Sequence, residues 1–462
     1  MRLISKIFQP IITIPKGAKI KNTDITCKSQ KLLLENGLLR PTSSGFFTLL
    51  PLARRVLYKL EHIIHQQMDS VGAQRISLPN LTSSKLWEMS GRLNAIGSEL
   101  IKVEDRHGKK YLLAPTHEEA ISELLADVGP VSHKLLPLLL YQISKKYRDE
   151  HRPKHGLLRA REFSMLDAYS LHQEDDTAAI TYDRLTEAYR SIFDKLDLPV
   201  YRVEAPTGDM GGTISHEWQL TAAAGEDAIK LCPSCSHTEL AHENSQCSQC
   251  GKETKRINSI EVGHTFILGT KYSEALKANF VASHGTQVPL TMACYGIGIT
   301  RLLAASLEAL SSETAMRWPR AIAPYSAIVI GPKEGSKEWA QHDFEKVLEV
   351  SRRISESGLE DDVVVDDRHA LTIGKRMMMA DRMGYPYIIV CGRSTLESPP
   401  RYELYQTNLQ QSKPQLLTLS ELITAITERR GEEKISVGEQ NEVTAGDMRV
   451  GVPVRCPRQE QD

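Results

Sequence analysis

A charged hairpin constrains this chain more than any other feature. Leu138 to Arg148 starts apolar and ends polar, which reads as a strand leaving a core. His151 to Ala160 follows as a loop carrying His151, Arg152, Lys154, His155 and Arg159, and Glu162 to Ser170 reads as the returning strand. Arg148 and Glu150 stand two residues apart at the charged tip, a spacing that puts both side chains on one strand face. Far downstream, Gly296-Ile297-Gly298-Ile299-Thr300-Arg301 leads into an apolar helix, Thr300 to Leu310.

These residue types suit one chemistry. Joining ATP to a carboxylate needs a cation at the α-phosphate, a flat pocket for adenine, and a second positive group that holds the leaving pyrophosphate in line. Arginine serves both phosphate roles, because its planar fork bonds two oxygens and stays charged. Arg148 is the candidate for the α-phosphate and the substrate carboxylate, and Glu150 for the adenine amino group. Phe163 can stack on adenine with Arg301 over the other face, Arg301 can reach the terminal phosphate, and Arg161 and the basic loop can close over the triphosphate. Alone, Arg148-Asp149-Glu150 reads more readily as a surface strand with paired charges, and the two glycines as a turn; only together and in order do they point to the site.

In this order, the segments resemble the motifs of class II aminoacyl-tRNA synthetases. Arg148, Glu150 and Phe163 fall on motif 2; Gly296, Gly298 and Arg301 fall on motif 3. Upstream, Leu52 to Ser70 is a helix with Val56, Leu57, Leu60, Ile63, Ile64 and Met68 on one face, followed by a strand from Gln74 to Leu78 stopped at Pro79. That arrangement resembles motif 1, which in the family forms a dimer interface and so implies a homodimer. The wording around the motifs is similar to prolyl-tRNA synthetases of the bacterial and organellar type, from about residue 30 to 430. The resemblance implies an α/β chain: an α+β catalytic domain, whose antiparallel sheet is flanked by helices, plus a C-terminal α/β anticodon-binding domain. It also implies L-proline, ATP with Mg2+ and tRNA(Pro) as partners, with Glu261 as a candidate Mg2+ ligand.

Thr116-His117-Glu118-Glu119 reads first as a capping box opening a helix from Ala120 to Ala126. That leaves Glu118 unexplained. In the resembling family a threonine-x-glutamate here receives the imino nitrogen of proline, so Thr116 and Glu118 are the implied proline ligands, together with Arg148 and His264. His264 also reads as a histidine satisfied inside a sheet, and Cys294 as either a pocket residue or a small buried hydrophobe.

Cys232-x-x-Cys235 and Cys247-x-x-Cys250 have the spacing of a closed four-thiolate zinc knuckle. An insert that has lost its metal reads equally well. Bacterial relatives carry a large editing insertion in this region, whereas only about forty residues separate Glu217 from Glu261 here. Selectivity then rests on the synthetic site, which separates small apolar side chains poorly.

The N-terminal stretch carries Arg2, Lys6, Lys16, Lys19 and Lys21 with no acid before Asp24, as expected of a presequence directing the chain to the mitochondrial matrix. The expected division is therefore 1–29 presequence, 30–320 catalytic domain with a Cys-rich insert at 226–256, 325–430 anticodon-binding domain, and a disordered tail at 431–462. In the C-terminal domain strands alternate with helices (326–330, 337–356, 363–365, 372–383 and 387–390), and Arg368 and Lys375 are candidates for the anticodon. A net charge of -1 means any nucleic acid must meet local basic surface. No apolar run approaches the roughly 20 residues of a membrane span. Two rivals remain. A threonyl-type enzyme needs a Cys-His-His zinc set that is not found around the motifs. A catalytically inactive, nucleic-acid-binding subunit is expected to have lost Arg148 or Arg301, and both are present.

Overall fold

The computed structural model describes residues 2–10, 25–241, 245–407 and 413–427. Residues 11–24, with Lys16, Lys19 and Lys21 of the expected presequence, and the expected tail 431–462 lie outside the described residues.

In chain order, strand β1 (Arg2–Leu3) precedes helices α1 (Lys28–Glu35) and α2 (Pro51–Ser70). Pro51 begins α2, where its missing N–H costs nothing, and Leu52, Val56, Leu57, Leu60, Ile64 and Met68 are buried along one face. Strand β2 (Gln74–Arg75) is shorter than the stretch expected to reach Leu78. Helix α3 (Glu118–Asp127) leads to β3 (Leu138–Tyr147) and β4 (Glu162–His172), the expected hairpin. Helix α4 (Asp175–Lys195) buries Tyr182, Leu185, Tyr189, Ile192 and Phe193 under the sheet. Then come β5 (Val200–Glu204), β6 (Ile214–Thr221), β7 (Asp227–Leu231), β8 (Thr238–Leu240), β9 (Lys255–Gly269), β10 (Thr291–Gly298) and helix α5 (Ile299–Leu310).

These strands make one sheet in the order β5-β6-β9-β10-β4-β3-β2, with β7 paired to β9 and β8 to β7. Every pairing is antiparallel except β2 with β3. Helices α2, α4 and α5 pack together against the sheet, so one face is covered and the other is left for a site.

The C-terminal domain holds β11 (Ala327–Ile330), helix α6 (Phe344–Glu356), β12 (Val363–Asp366), helix α7 (Ile373–Met383), β13 (Tyr387–Val390), β14 (Tyr402–Gln406) and β15 (Gln415–Leu417). Strands β12, β11 and β13 are parallel and buried on both faces, which is why they read as continuous β-branched runs. The single helix expected over 337–356 is two: Lys337–Gln341, then α6, restarted by Asp343, whose carboxylate accepts from the Lys346 N–H at 3.2 Å.

Residues 2–10, placed by the sequence in a presequence, pack onto this domain and onto the stretch 36–40 that follows α1. β1 adds to the sheet edge parallel to β12, and Ile4 is buried. The Ser5 N–H donates to Asp367 at 2.9 Å, Gln9 donates to the Asn36 carbonyl at 2.9 Å, and Arg40 to that of Pro10 at 2.5 Å. Gly37 has φ +70°, and a Cβ there would sit 2.8 Å from the Pro10 oxygen, so only glycine lets the segment pass.

Candidate active site

A cavity of about 370 Å³ opens on the free face of the sheet, floored by β4, β9 and β10. Gly263 and Gly296 meet side by side in its floor, where a Cβ on Gly263 would lie 2.9 Å from the Gly296 oxygen. The cavity is lined by Thr116, Glu118, Arg148, Phe163, Glu261, His264, Cys294, Gly296, Gly298 and Arg301, so segments scattered over almost two hundred positions converge.

One end is acidic and buried. The Thr116 hydroxyl donates to Glu118 at 2.7 Å, and Glu118 and Glu119 open helix α3 behind His117. The capping box expected from Thr116 and Glu119 does not form: no side chain caps α3, Thr116 turns to Glu118, and Glu119 accepts from Arg92 at 3.1 Å and Ser90 at 2.8 Å. A buried carboxylate needs a cation more than α3 needs a cap. Arg92 is only 3% exposed, lies 3.4 Å from Glu118, and sits over the Trp87 ring at 4.7 Å. Burial works against the Arg92 charge, but Glu119 and Glu118 outweigh it and raise its pKa. Burial raises the Glu119 carboxyl, with Arg92 opposing.

Beneath lies a second buried pair. Lys146 bonds Asp167 at 2.6 Å, and Asp167 also accepts from Gln142 at 3.0 Å and Tyr169 at 2.9 Å. Burial would raise the Asp167 carboxyl, but the Lys146 and His117 partners hold it below the usual range. The Tyr169 hydroxyl accepts from the His117 N–H at 3.1 Å, which ties this network to the start of α3.

The other end is a wall of arginines. Arg148 is half-buried, its Cζ lies 5.3 Å over the Phe163 ring, and its guanidinium makes no hydrogen bond with the described residues. Burial and then the neighbouring Arg301 push its pKa down from the usual arginine value. Arg148, the candidate for the α-phosphate, thus covers the Phe163 ring in the ligand-free chain. Arg301 donates to the Leu158 carbonyl at 3.0 Å and the Glu261 carbonyl at 3.2 Å. Strand β3 ends at Tyr147, and the Glu150 N–H turns back to the Arg148 carbonyl at 2.8 Å, so the pair sits on a turn and strand alternation does not apply. Arg161 bonds the Glu150 carbonyl at 2.9 Å, and Arg159 donates to the Glu150 carboxylate at 2.8 Å.

Glu217, Glu261 and His264 gather beside this wall, their ligand atoms all within 4.8 Å of one another. Burial would raise the Glu261 carboxyl, but the hydrogen bond with His264 and the Arg301 charge hold it low; burial and Glu261 raise Glu217. His264 has both ring nitrogens engaged, with Glu261 at 3.0 Å and Ser215 at 2.7 Å, and stacks on Phe266 at 4.0 Å. It therefore offers a ligand its ring face.

The four cysteines converge on the β7–β8 hairpin, with Cys232 and Cys250 sulfurs 3.5 Å apart and Cys235 and Cys247 sulfurs 3.7 Å apart. None is in a disulfide. A tetrahedral zinc with Zn–S bonds of roughly 2.3 Å sets sulfurs about 3.8 Å apart, so the spacing fits.

In the C-terminal domain Arg368 is tied to Asp366 at 2.6 and 2.9 Å, while Lys375 is exposed at the start of α7. Arg376 is fully buried and bonds the Gly331, Pro332 and Asp366 carbonyls, a structural role.

Sequence reasoning missed Arg92, Lys146 and Asp167. The readable signal for Asp167 was an acid in the middle of the apolar run Met165-Leu166-Asp167-Ala168-Tyr169, while Lys146 is hidden in the polar end of its strand.

Comparison with known proteins bears on the fold and the family. Residues 101–310 match the tRNA synthetase class II core domain (G, H, P, S and T), and residues 326–429 match an anticodon binding domain. The probable mitochondrial proline--tRNA ligase of Homo sapiens is 43% identical over 419 residues, covering 88% of this chain and 87% of that protein. The corresponding Schizosaccharomyces pombe protein is 36% identical, covering 86% and 95%. The fold matches a Giardia lamblia prolyl-tRNA synthetase in complex with prolyl-adenylate with a TM-score of 0.74 at 17% identity, over 89% of this chain and 80% of that one. The chain belongs to the proline--tRNA ligase family of class II aminoacyl-tRNA synthetases.

Proposed function

We propose that this chain activates L-proline with ATP to prolyl-adenylate and transfers it to the 3′ end of tRNA(Pro) in the mitochondrial matrix, as a homodimer paired through the motif 1 region. The observation that carries the reading is Arg148, a half-buried guanidinium without a hydrogen bond among the described residues, lining the same cavity as Thr116, Glu118 and Arg301.

The secondary ammonium of proline has two N–H donors, which Thr116 and Glu118 receive, while the buried Arg92 offsets the charge of the two glutamates. Arg148 draws the proline carboxylate toward the α-phosphate and neutralises charge as the bond to phosphorus forms. Phe163 supports adenine, Glu150 accepts from its amino group, and Arg301, with Arg161 and the basic loop, holds the pyrophosphate in line as it leaves. The terminal ribose hydroxyl of the tRNA then attacks the activated carbonyl, and AMP departs. Glu217 and Glu261 offer hard oxygen ligands suited to Mg2+, whose chemistry there is charge neutralisation on the phosphates. His264, already between Ser215 and Glu261, lies against the pyrrolidine ring. The four cysteines would hold a structural zinc. Residues 30–320 do the chemistry, and 325–430 meet the anticodon, with Arg368 and Lys375 among the contacts. A presequence that ends before Ile25 leaves α1 and its contacts whole.

The test is ATP–pyrophosphate exchange with proline, alanine, cysteine and threonine. Exchange with proline that disappears in Arg148→Ala supports the reading. No exchange with any amino acid from the folded protein overturns it in favour of a binding subunit.

A further inference from the structure

Glu226 gathers three basic side chains of the loop after β3. Lys154 pairs with it, His155 lies at 3.3 Å, and Arg159 lies at 3.2 Å while also holding Glu150. Burial works against a charge on Glu226, but these three partners overrule it and keep its carboxyl below the usual range. Lys154 and Arg159 are themselves bridged across the loop, so holding one restrains the other.

The post is rigid. Glu226 directly precedes β7, whose residue Asp227 pairs with Ser259 of β9 and whose far end runs into Cys232. Before it, a Cβ on Gly225 would lie 2.1 Å from the Ser259 oxygen, so the backbone is pressed onto β9 with no side chain between. The same β9 carries Glu261, Gly263 and His264 into the cavity. Arg159 is thus shared between a carboxylate fixed to the sheet and Glu150, which is joined by its N–H to the carbonyl of the cavity residue Arg148.

We propose that Glu226 is a positioning residue that anchors the basic loop and shares Arg159 with Glu150, giving the arginine a second acidic partner to stay on when adenine takes the Glu150 carboxylate. This rests on the reading above that Glu150 receives adenine. Without Glu226, Arg159 keeps only Glu150 as an acidic partner and competes with ATP.

Glu226→Gln removes the charge and keeps the shape. In proline-dependent exchange, KM for ATP rises about four-fold, the size exposed ion pairs supply, with kcat and KM for proline within about two-fold. Once Arg159→Met is in place, adding Glu226→Gln changes KM for ATP no further. Trypsin cuts within residues 152–161 faster in Glu226→Gln. An unchanged KM for ATP overturns the proposal, as does the same rise when Arg159 is already Met, or a joint collapse of kcat and proline KM, which marks a merely structural role. If the wild-type chain shows no exchange, the activity reading falls, and the trypsin rates alone decide: equal rates overturn the anchor.

Discussion

Arg159 donates to Glu150 at 2.8 Å, so the carboxylate suited to an adenine amino group is already occupied in the ligand-free protein. Free adenosine brings no phosphates for the loop to hold and must displace that arginine outright. Arg159→Met should therefore tighten adenosine binding about three-fold, measured as inhibition of exchange. Unchanged inhibition would show that the pair does not obstruct the pocket.

Arg148 lacks hydrogen bonds to the described residues, so its removal should cost catalysis and spare the fold. Arg148→Ala is expected to lower kcat for proline-dependent exchange by about 100-fold or more, the scale of losing one preorganised charge at a reacting centre. Thermal melting should stay close to wild type. A large fall in melting temperature would mean that Arg148 holds structure.

Arg92 is the opposite case. Arg92→Met leaves Glu118 and Glu119 buried without their cation, which should cost about 3–5 kcal/mol in urea unfolding. Arg92→Lys should recover part of that loss and part of the affinity for proline. Equal stability of Met and Lys variants would remove the charge argument.

One zinc per chain is expected by elemental mass spectrometry, falling in Cys247→Ser. Because β7 links Glu226 at its start to Cys232 at its end, loss of metal should also speed trypsin cleavage of the loop at 152–161. A metal-free wild-type protein would mean that the four thiols are only packed together.

His172 is buried, and burial pushes its pKa down to about 4. Unfolded histidine titrates near 6.5, so between those values the unfolded chain binds more protons. The contribution is fully present above pH ~6.5 and is lost as pH falls toward 4, reaching up to about 3 kcal/mol. Urea midpoints measured from pH 7.5 to 4.5 should fall less steeply in His172→Gln; parallel curves would reject this assignment.

The cavity was legible wherever chemistry and spacing coincide. Arg148, Phe163, Gly296 and Arg301 announce themselves by residue type, and the β3–β4 hairpin by its apolar start and charged end. Arg92 was not legible, because its partners lie 26 and 27 positions away and nothing in Ser90-Gly91-Arg92 says the chain will bury it. Glu226 meets Arg159 across 67 positions for the same reason. Only the capping role read beside the ligand role of Thr116 failed, because a capping pattern and a buried carboxylate compete for one hydroxyl, and a helix end can do without its cap more easily than the carboxylate can do without partners. The single helix over 337–356 failed at Asp343, where a side chain able to restart a helix outweighed the periodic pattern.

Residues Arg2 and Leu3 find their strand partners at Val364 and Val365. In synthesis the first residues made must wait for nearly the whole chain before they can pair, a contact of the slowest kind. Until then the outer edge of Val363-Val364-Val365 stands open, a β-branched run with unpaired backbone of the sort that recruits strands from other chains. The short β1 closes late over that edge and guards it only while the presequence is attached, since its removal would leave Val363-Val364-Val365 open again.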